Sequence, residues 1–288
     1  MADLAYSEGE WASSDALTLR YRDYPGPDWR PPILCLPGLT RNARDFEPVV
    51  QVFAGDWRVI CADLRGRGQS DYAKDSASYN PVQYVADVIA LLDSVGIDRV
   101  VALGTSLGGI VTMLLAAQSP DRIAAAVLND IGPDVEAKGL ARIRDYVGQG
   151  RSFPTWMHAA RALRDQAGAI YPDFAIADWL RIAKRWLAVS GNGRIVFDYD
   201  MRIAEPIHQA DITAPSFDMW PAFRALAGRP LLAIRGESSD ILSARTLKRM
   251  EREVPGMEAI TVPRTGHAPT LEEPPVQAAI ARLLAQVA

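Results

Sequence analysis

Short, unbroken apolar runs alternate with amphipathic stretches through the first half of the chain. Residues 32–36, 57–63, 99–103 and 123–128 each read as a strand buried on both faces. Between them, residues 46–53 and 81–95 carry apolar side chains at helical spacing. Asn80 caps the second of these with Pro81 at its first position, and Gly96 stops it. Ahead of them all, residues 11–14 and 17–22 alternate in polarity around Asp15-Ala16 and predict an opening hairpin. Strands alternating with helices in this way predict an α/β fold on a mostly parallel, doubly wound sheet. The alternation stops at Asn129-Asp130-Ile131-Gly132-Pro133. From residue 135 to about 215 the pattern predicts helix after helix, at 140–147, 155–166 and 178–189, with no buried strand. It resumes with a strand at 230–236, a helix at 243–253, a strand at 258–262 and a last helix from Pro274 onward. The expected organisation is a core of residues 1–132 and 216–288 with a helical cap, 133–215, inserted into it. The natural place for such an insertion is over the ends of the strands.

One boundary between strand and helix carries chemistry. The apolar run 99–103 ends in Gly104-Thr105-Ser106-Leu107-Gly108-Gly109, and an apolar helix follows at once. G-x-S-x-G between a strand and a helix makes a sharp turn that thrusts the serine out at its tip. The glycines leave room for so tight a turn, and the Leu107 amide opens a helix, where developing negative charge is favoured. Ser106 is therefore the candidate nucleophile.

Composition narrows the class. With 288 residues, 49% hydrophobic and 23% charged, the chain is long enough for a large core and ordinary for a soluble globular protein. A net charge of −4 and scattered arginines argue against a nucleic-acid partner. No apolar run approaches the length of a membrane span, and residues 1–10 show neither the basic nor the apolar region of a secretory leader. Cys35 and Cys61 both fall inside strand-like runs and read as reduced core residues, which fits a cytoplasmic protein. Arg65-Gly66-Arg67-Gly68 lacks the third glycine and the following helix of a nucleotide-binding loop. Without His-x-His, His-Glu-x-x-His or a close cysteine pair, neither a metal nor a cofactor is expected, and the expected partner is a small-molecule substrate.

A serine hydroxyl needs a base. Of the three histidines, His158 and His208 fall within the insertion. His267 lies in Arg264-Thr265-Gly266-His267-Ala268, after a strand and before the last helix, where a side chain reaches a site at the strand ends. The base in turn needs an orienting acid. Asp240 follows the strand ending at Gly236, and Asp130 follows an earlier strand and competes for the role. Gly236, Ser238 and Ser239 around Asp240 favour it, whereas Asp130 reads as part of a turn that launches the insertion. Asp63 also ends a strand but reads as structural.

By these residues the chain resembles the α/β-hydrolase family. The resemblance covers nearly the whole length and rests on Leu36-Pro37-Gly38-Leu39, on the run from Asp63 to Ser70, on Gly104 to Gly109, on Arg235 to Asp240 and on Gly266-His267. It implies a serine hydrolase with Ser106, Asp240 and His267 as catalytic residues and the backbone amides of Leu39 and Leu107 as the oxyanion hole. Many relatives carry His-Gly where this chain has Pro37-Gly38, but the implied donor is the amide after Gly38. Serine at the elbow argues against the halide-displacing and epoxide-opening branches, which use aspartate. The expected substrate is a small, largely apolar carboxylic ester. Hydrolysis of a C–C bond in a ring-cleavage product and non-catalytic ligand reception on the same fold are the alternatives. The tryptophans of the insertion, Trp156, Trp179 and Trp186, read either as its core or as walls of an apolar pocket between cap and sheet.

Overall fold

Because consecutive side chains of a strand point to opposite faces, the central apolar runs feed two cores at once. The computed structural model of the chain describes residues 4–209 and 217–287. In chain order the first elements are β1 (Ser7–Ala12), β2 (Thr18–Tyr24), β3 (Ile33–Leu36), α1 (Glu47–Phe53), β4 (Val59–Asp63), α2 (Pro81–Ser94), β5 (Val100–Thr105), α3 (Leu107–Gln118) and β6 (Ile123–Asn129). The insertion follows with α4 (Ala137–Tyr146), β7 (Ser152–Phe153), α5 (Trp156–Ala167), α6 (Ile176–Trp186), β8 (Leu187–Val189), β9 (Ile195–Phe197) and α7 (Ala204–Gln209). The chain closes with α8 (Trp220–Arg224), β10 (Leu231–Gly236), α9 (Ala244–Glu253), β11 (Glu258–Val262) and α10 (Pro274–Leu284).

Eight strands form one sheet in the order β1-β2-β4-β3-β5-β6-β10-β11. The pairs β1/β2 and β2/β4 are antiparallel, and β4/β3, β3/β5, β5/β6, β6/β10 and β10/β11 are parallel. One face packs Leu34, Leu36, Ile60, Ala102 and Leu128 against α2 and α3. The other packs Ile33, Cys35, Cys61, Val101 and Ile234 against α1 and α10. Both cysteines are buried and reduced. The punctuation expected of α2 is present: Asn80 accepts from the Gln83 amide at 2.9 Å, and Gly96 takes φ +64°. No helix among the described residues is long and apolar enough to cross a membrane.

The insertion departs from the expected run of helices. It also holds a three-stranded antiparallel sheet in the order β7-β9-β8. The β8/β9 hairpin turns through Ser190–Arg194, with Gly193 at φ +77°. Strands of two and three residues are too short to show alternation, and the apolar spacing of α6 runs on into β8. A third core, around Leu163, Trp179 and Ile182, makes the insertion a packed layer of its own. Its expected end at 215 lies outside the described residues.

Candidate active site

Strand β5 delivers Ser106 through a turn that only glycine permits. A Cβ on Gly104 would lie 2.4 Å from the Gly108 carbonyl carbon, and one on Gly108 would lie 1.9 Å from the Leu36 carbonyl oxygen. Ser106 itself adopts φ +51°, ψ −114°, a sparsely populated conformation for a residue with a side chain. It is held there by its amide, which donates to the Asn129 carbonyl at 3.0 Å, and by its carbonyl, which accepts from the Gly109 amide at 2.9 Å.

Ser106 Oγ lies 2.9 Å from His267 Nε2, and His267 Nδ1 lies 2.8 Å from Asp130 Oδ2. The expectation of Asp240 beside His267 is therefore corrected. Asp130 is fully buried at φ +56°, and its carboxylate is the better placed of the two. Its Oδ1 accepts from the Gly236 amide at 2.8 Å, and its Oδ2 accepts from Ser239 Oγ at 2.6 Å as well as facing the imidazole. Asp240 is taken by Arg142 of α4, which donates from Nε at 2.6 Å and Nη2 at 2.8 Å. That pairing holds the Asp240 carboxyl below the usual carboxylate range. The loop after β10 thus supports the site through Ser239 rather than through Asp240.

Of the two residues whose amides are expected to face a developing oxyanion, Leu107 follows the serine directly and Leu39 lines the same cavity. Leu107 is the first residue of α3, so its N–H has no acceptor within the helix. Leu39 lies in the turn after β3, with its carbonyl accepting from Arg67 Nε at 2.9 Å. Arg67 is completely buried, and its guanidinium carbon lies 4.8 Å from the Tyr84 ring centroid. Arg65 is also buried and pairs with Asp87 and Asp15, so neither arginine of that turn is a surface cation. Asp63 accepts from the amides of Ala43 at 2.6 Å and Gln69 at 3.0 Å, a role in holding loops. Burial is the first cause that pushes its carboxyl up to about 6.

Ser106 and His267 open onto a cavity of about 710 Å³ walled on its far side by the insertion. Leu39, Ile143, Leu163, Ile182, Trp186 and Phe197 supply apolar wall, but the lining also holds five arginines and three aspartates, so it is mixed rather than largely apolar. Of the three tryptophans of the insertion, Trp186 alone reaches it. Trp179 is buried in the core of the insertion and Trp220 in the main core. Trp156 packs at the edge of the insertion core. His158 lies at the cavity rim with its Nδ1 2.9 Å from Thr155 Oγ1, and His208 is exposed, its Nε2 2.9 Å from the Arg144 carbonyl. Among the described residues no three His, Cys, Asp or Glu side chains group as a metal site.

Sequence reading missed the residues that bind the insertion to the site. Tyr171 Oη donates to the Ala268 carbonyl at 2.7 Å, and the Gly266 amide donates to the Ile170 carbonyl at 2.8 Å, so the His267 loop is held on both sides. Ion pairs of Arg44 with Asp198 and of Arg185 with Glu47 fasten the same layer to the core. Such pairings join residues far apart in the chain, by 97 positions for Tyr171 and Ala268, and leave no local signal.

Comparison with known proteins agrees with the fold. The family model described as the alpha/beta hydrolase fold matches residues 31–274. The chain is 32% identical over 255 residues to a 3-hydroxybutyrate-oligomer hydrolase of Cupriavidus necator, covering 86% of each. It is 28% identical to a 2-(acetamidomethylene)succinate hydrolase of Mesorhizobium japonicum, over 82% of this chain and 81% of that one. Among solved structures, an alpha/beta hydrolase from Novosphingobium aromaticivorans is 60% identical, with a TM-score of 0.94 and all of both chains covered.

Proposed function

We propose that this chain, which belongs to the α/β-hydrolase fold family and is a hydrolase, cleaves carboxylic esters through a serine-bound acyl intermediate. The observation that carries this reading is the unbroken line of hydrogen-bonding atoms from Ser106 through His267 to Asp130 at the base of the cavity. Ser106 Oγ attacks the ester carbonyl while His267 Nε2 takes its proton. The amides of Leu39 and Leu107 hold the oxygen that becomes negative. Asp130 fixes the imidazole with its proton on Nδ1 and stabilises the imidazolium as it forms. His267 then returns the proton to the departing alcohol. Water, deprotonated by the same nitrogen, attacks the acyl-serine and releases the acid. The chemistry calls for no metal and no cofactor.

The insertion serves as the cap of this site, enclosing the substrate between its helices and the ends of β3, β5 and β6. The relative named as a hydrolase of a hydroxy-acid oligomer supports an ester as substrate class. The test is a fluorophosphonate probe with mass mapping, beside p-nitrophenyl esters of graded chain length. Native protein should be labelled once, at Ser106, and should turn over at least one ester. Ser106→Ala should lose both labelling and turnover while keeping its fold by circular dichroism. Labelling at another residue, or undiminished turnover by the alanine variant, would overturn the assignment.

A further inference from the structure

Arg41 lines the same cavity as the serine and has no ion-pair partner among the described residues. A Cβ on Gly38 would meet Arg41 Cγ at 3.5 Å and Ser106 Cβ at 3.7 Å, so the arginine stem and the nucleophile flank the same glycine. The Arg41 guanidinium carbon sits 3.1 Å above the ring centroid of Trp186, which fixes the group over the cavity rather than in bulk water. The carboxylate held by that indole, Asp45, is bonded to Trp186 Nε1 at 2.8 Å and forms no ion pair with Arg41. Among the described residues, the Arg41 side chain makes no hydrogen bond and has no carboxylate within ion-pair distance; its backbone amide donates to the Gly38 carbonyl at 3.1 Å.

The rest of the lining makes this a positive site. Arg142 is neutralised by Asp240, and Arg185 by Glu47 and Glu272, none of which lines the cavity. Asp165 is paired with Arg164. That leaves Arg41, Arg151 and Arg161 without an ion-pair partner among the described residues, against Asp45 and Asp145. A guanidinium stacked on an aromatic face keeps its N–H edge free, and that edge fits a carboxylate with two parallel hydrogen bonds.

We propose that Arg41 is a substrate-recognising residue that binds a carboxylate on one arm of the ester, so that the enzyme prefers anionic esters to neutral ones of equal size. This rests on the hydrolase reading above for its substrate class, and its test is separable from that reading. Arg41 and Ser106 flank the same glycine and line the same cavity, so the carboxylate lies a few bonds from the scissile carbonyl. The rim arginines 151 and 161 draw the anion in from solution.

Two pairs of esters test the proposal and distinguish the arms. Mono-p-nitrophenyl glutarate against p-nitrophenyl pentanoate places the charge on the acyl arm. O-acetyllactate against O-acetyllactamide places it on the alcohol arm. In at least one pair the native enzyme should favour the anion in kcat/KM, and added salt should shrink the preference. Arg41→Met should lower that anionic-to-neutral ratio by about 10- to 100-fold, mostly through KM, and Arg41→Lys should restore part of it. A folded Arg41→Met with an unchanged ratio would reduce Arg41 to a stacking partner of Trp186 and overturn the proposal. So would a native enzyme that favours the neutral member of both pairs. If Arg41→Met does not fold, the Arg41→Lys ratio and the native salt dependence decide it. If no ester is turned over, calorimetry with glutarate takes their place. Binding to native protein that weakens in Arg41→Met upholds the carboxylate site while the hydrolase reading falls, and absence of binding overturns both.

Discussion

Ser239 Oγ donates a 2.6 Å hydrogen bond to Asp130 Oδ2, the same oxygen that faces His267 Nδ1. A residue from the loop after β10 thus braces an acid that follows β6. With the Gly236 amide on Oδ1, the buried carboxylate is satisfied at both oxygens. Asp130→Asn would leave the geometry in place but favour the wrong imidazole tautomer. It should lower kcat by up to about 10⁴-fold. Asp240→Asn should act on stability by loosening Arg142 and leave kcat within about tenfold. Steady-state kinetics of the two variants, with ester and at constant pH, separate the roles. Equal losses would contradict the assignment of the acid.

Gly108 and Gly96 are glycine for different reasons, and alanine should reveal them. At Gly108 a methyl would meet the Leu36 carbonyl oxygen at 1.9 Å, so backbone of the elbow or of β3 must move. Gly96 takes φ +64° in open space, so alanine there costs only the left-handed conformation, about 1 kcal/mol. Gly108→Ala should destabilise by about 3 kcal/mol and displace Ser106, while Gly96→Ala should leave activity intact. Thermal melting with ester assays on both variants makes the comparison.

Asp63 sets a pH dependence of stability. Burial raises its folded pKa from 3.8 to about 6. Between those values the unfolded chain is ionised while the folded one still holds the proton. The contribution of Asp63 to stability therefore falls as pH rises through that window and is level on either side. The fall amounts to about 2 kcal/mol. The difference in urea-unfolding free energy between native protein and Asp63→Asn should shrink by that amount from pH 4 to pH 6. A pH-independent difference would show that the two amide donors hold the carboxylate charged throughout.

The fold and most of the site were readable from the chain because their signals are local. The elbow is legible in Gly104 and Gly108, whose absent side chains mark the close approach of α3 to β5 and to β3. His267 is legible from its place between a strand and a helix. The acid was not. Asp130 and Asp240 end neighbouring parallel strands, and either could reach His267 from the strand ends. What decides between them is Arg142, 98 residues before Asp240, together with the positive φ of Asp130. Neither is visible in a local pattern. The same holds for Arg41, whose meaning depends on Trp186 and on the lack of an ion-pair partner among the described residues. The short strands of the insertion escaped for another reason: at three residues, alternation and helical spacing look alike.

The grip of Ile170 and Tyr171 on the loop that carries His267 bears on how this protein could be re-engineered. Loops over a sheet are the usual material for recombining specificities among relatives, because they can be exchanged without disturbing the scaffold. Here the exchangeable layer also clamps the loop of His267. A chimera given a foreign cap would inherit the histidine without the carbonyl and hydroxyl that fix its backbone. A transplant that carries its own partners for the Gly266 amide and the Ala268 carbonyl should retain turnover. One chosen only for the shape of its pocket should gain a new binding site and lose the rate.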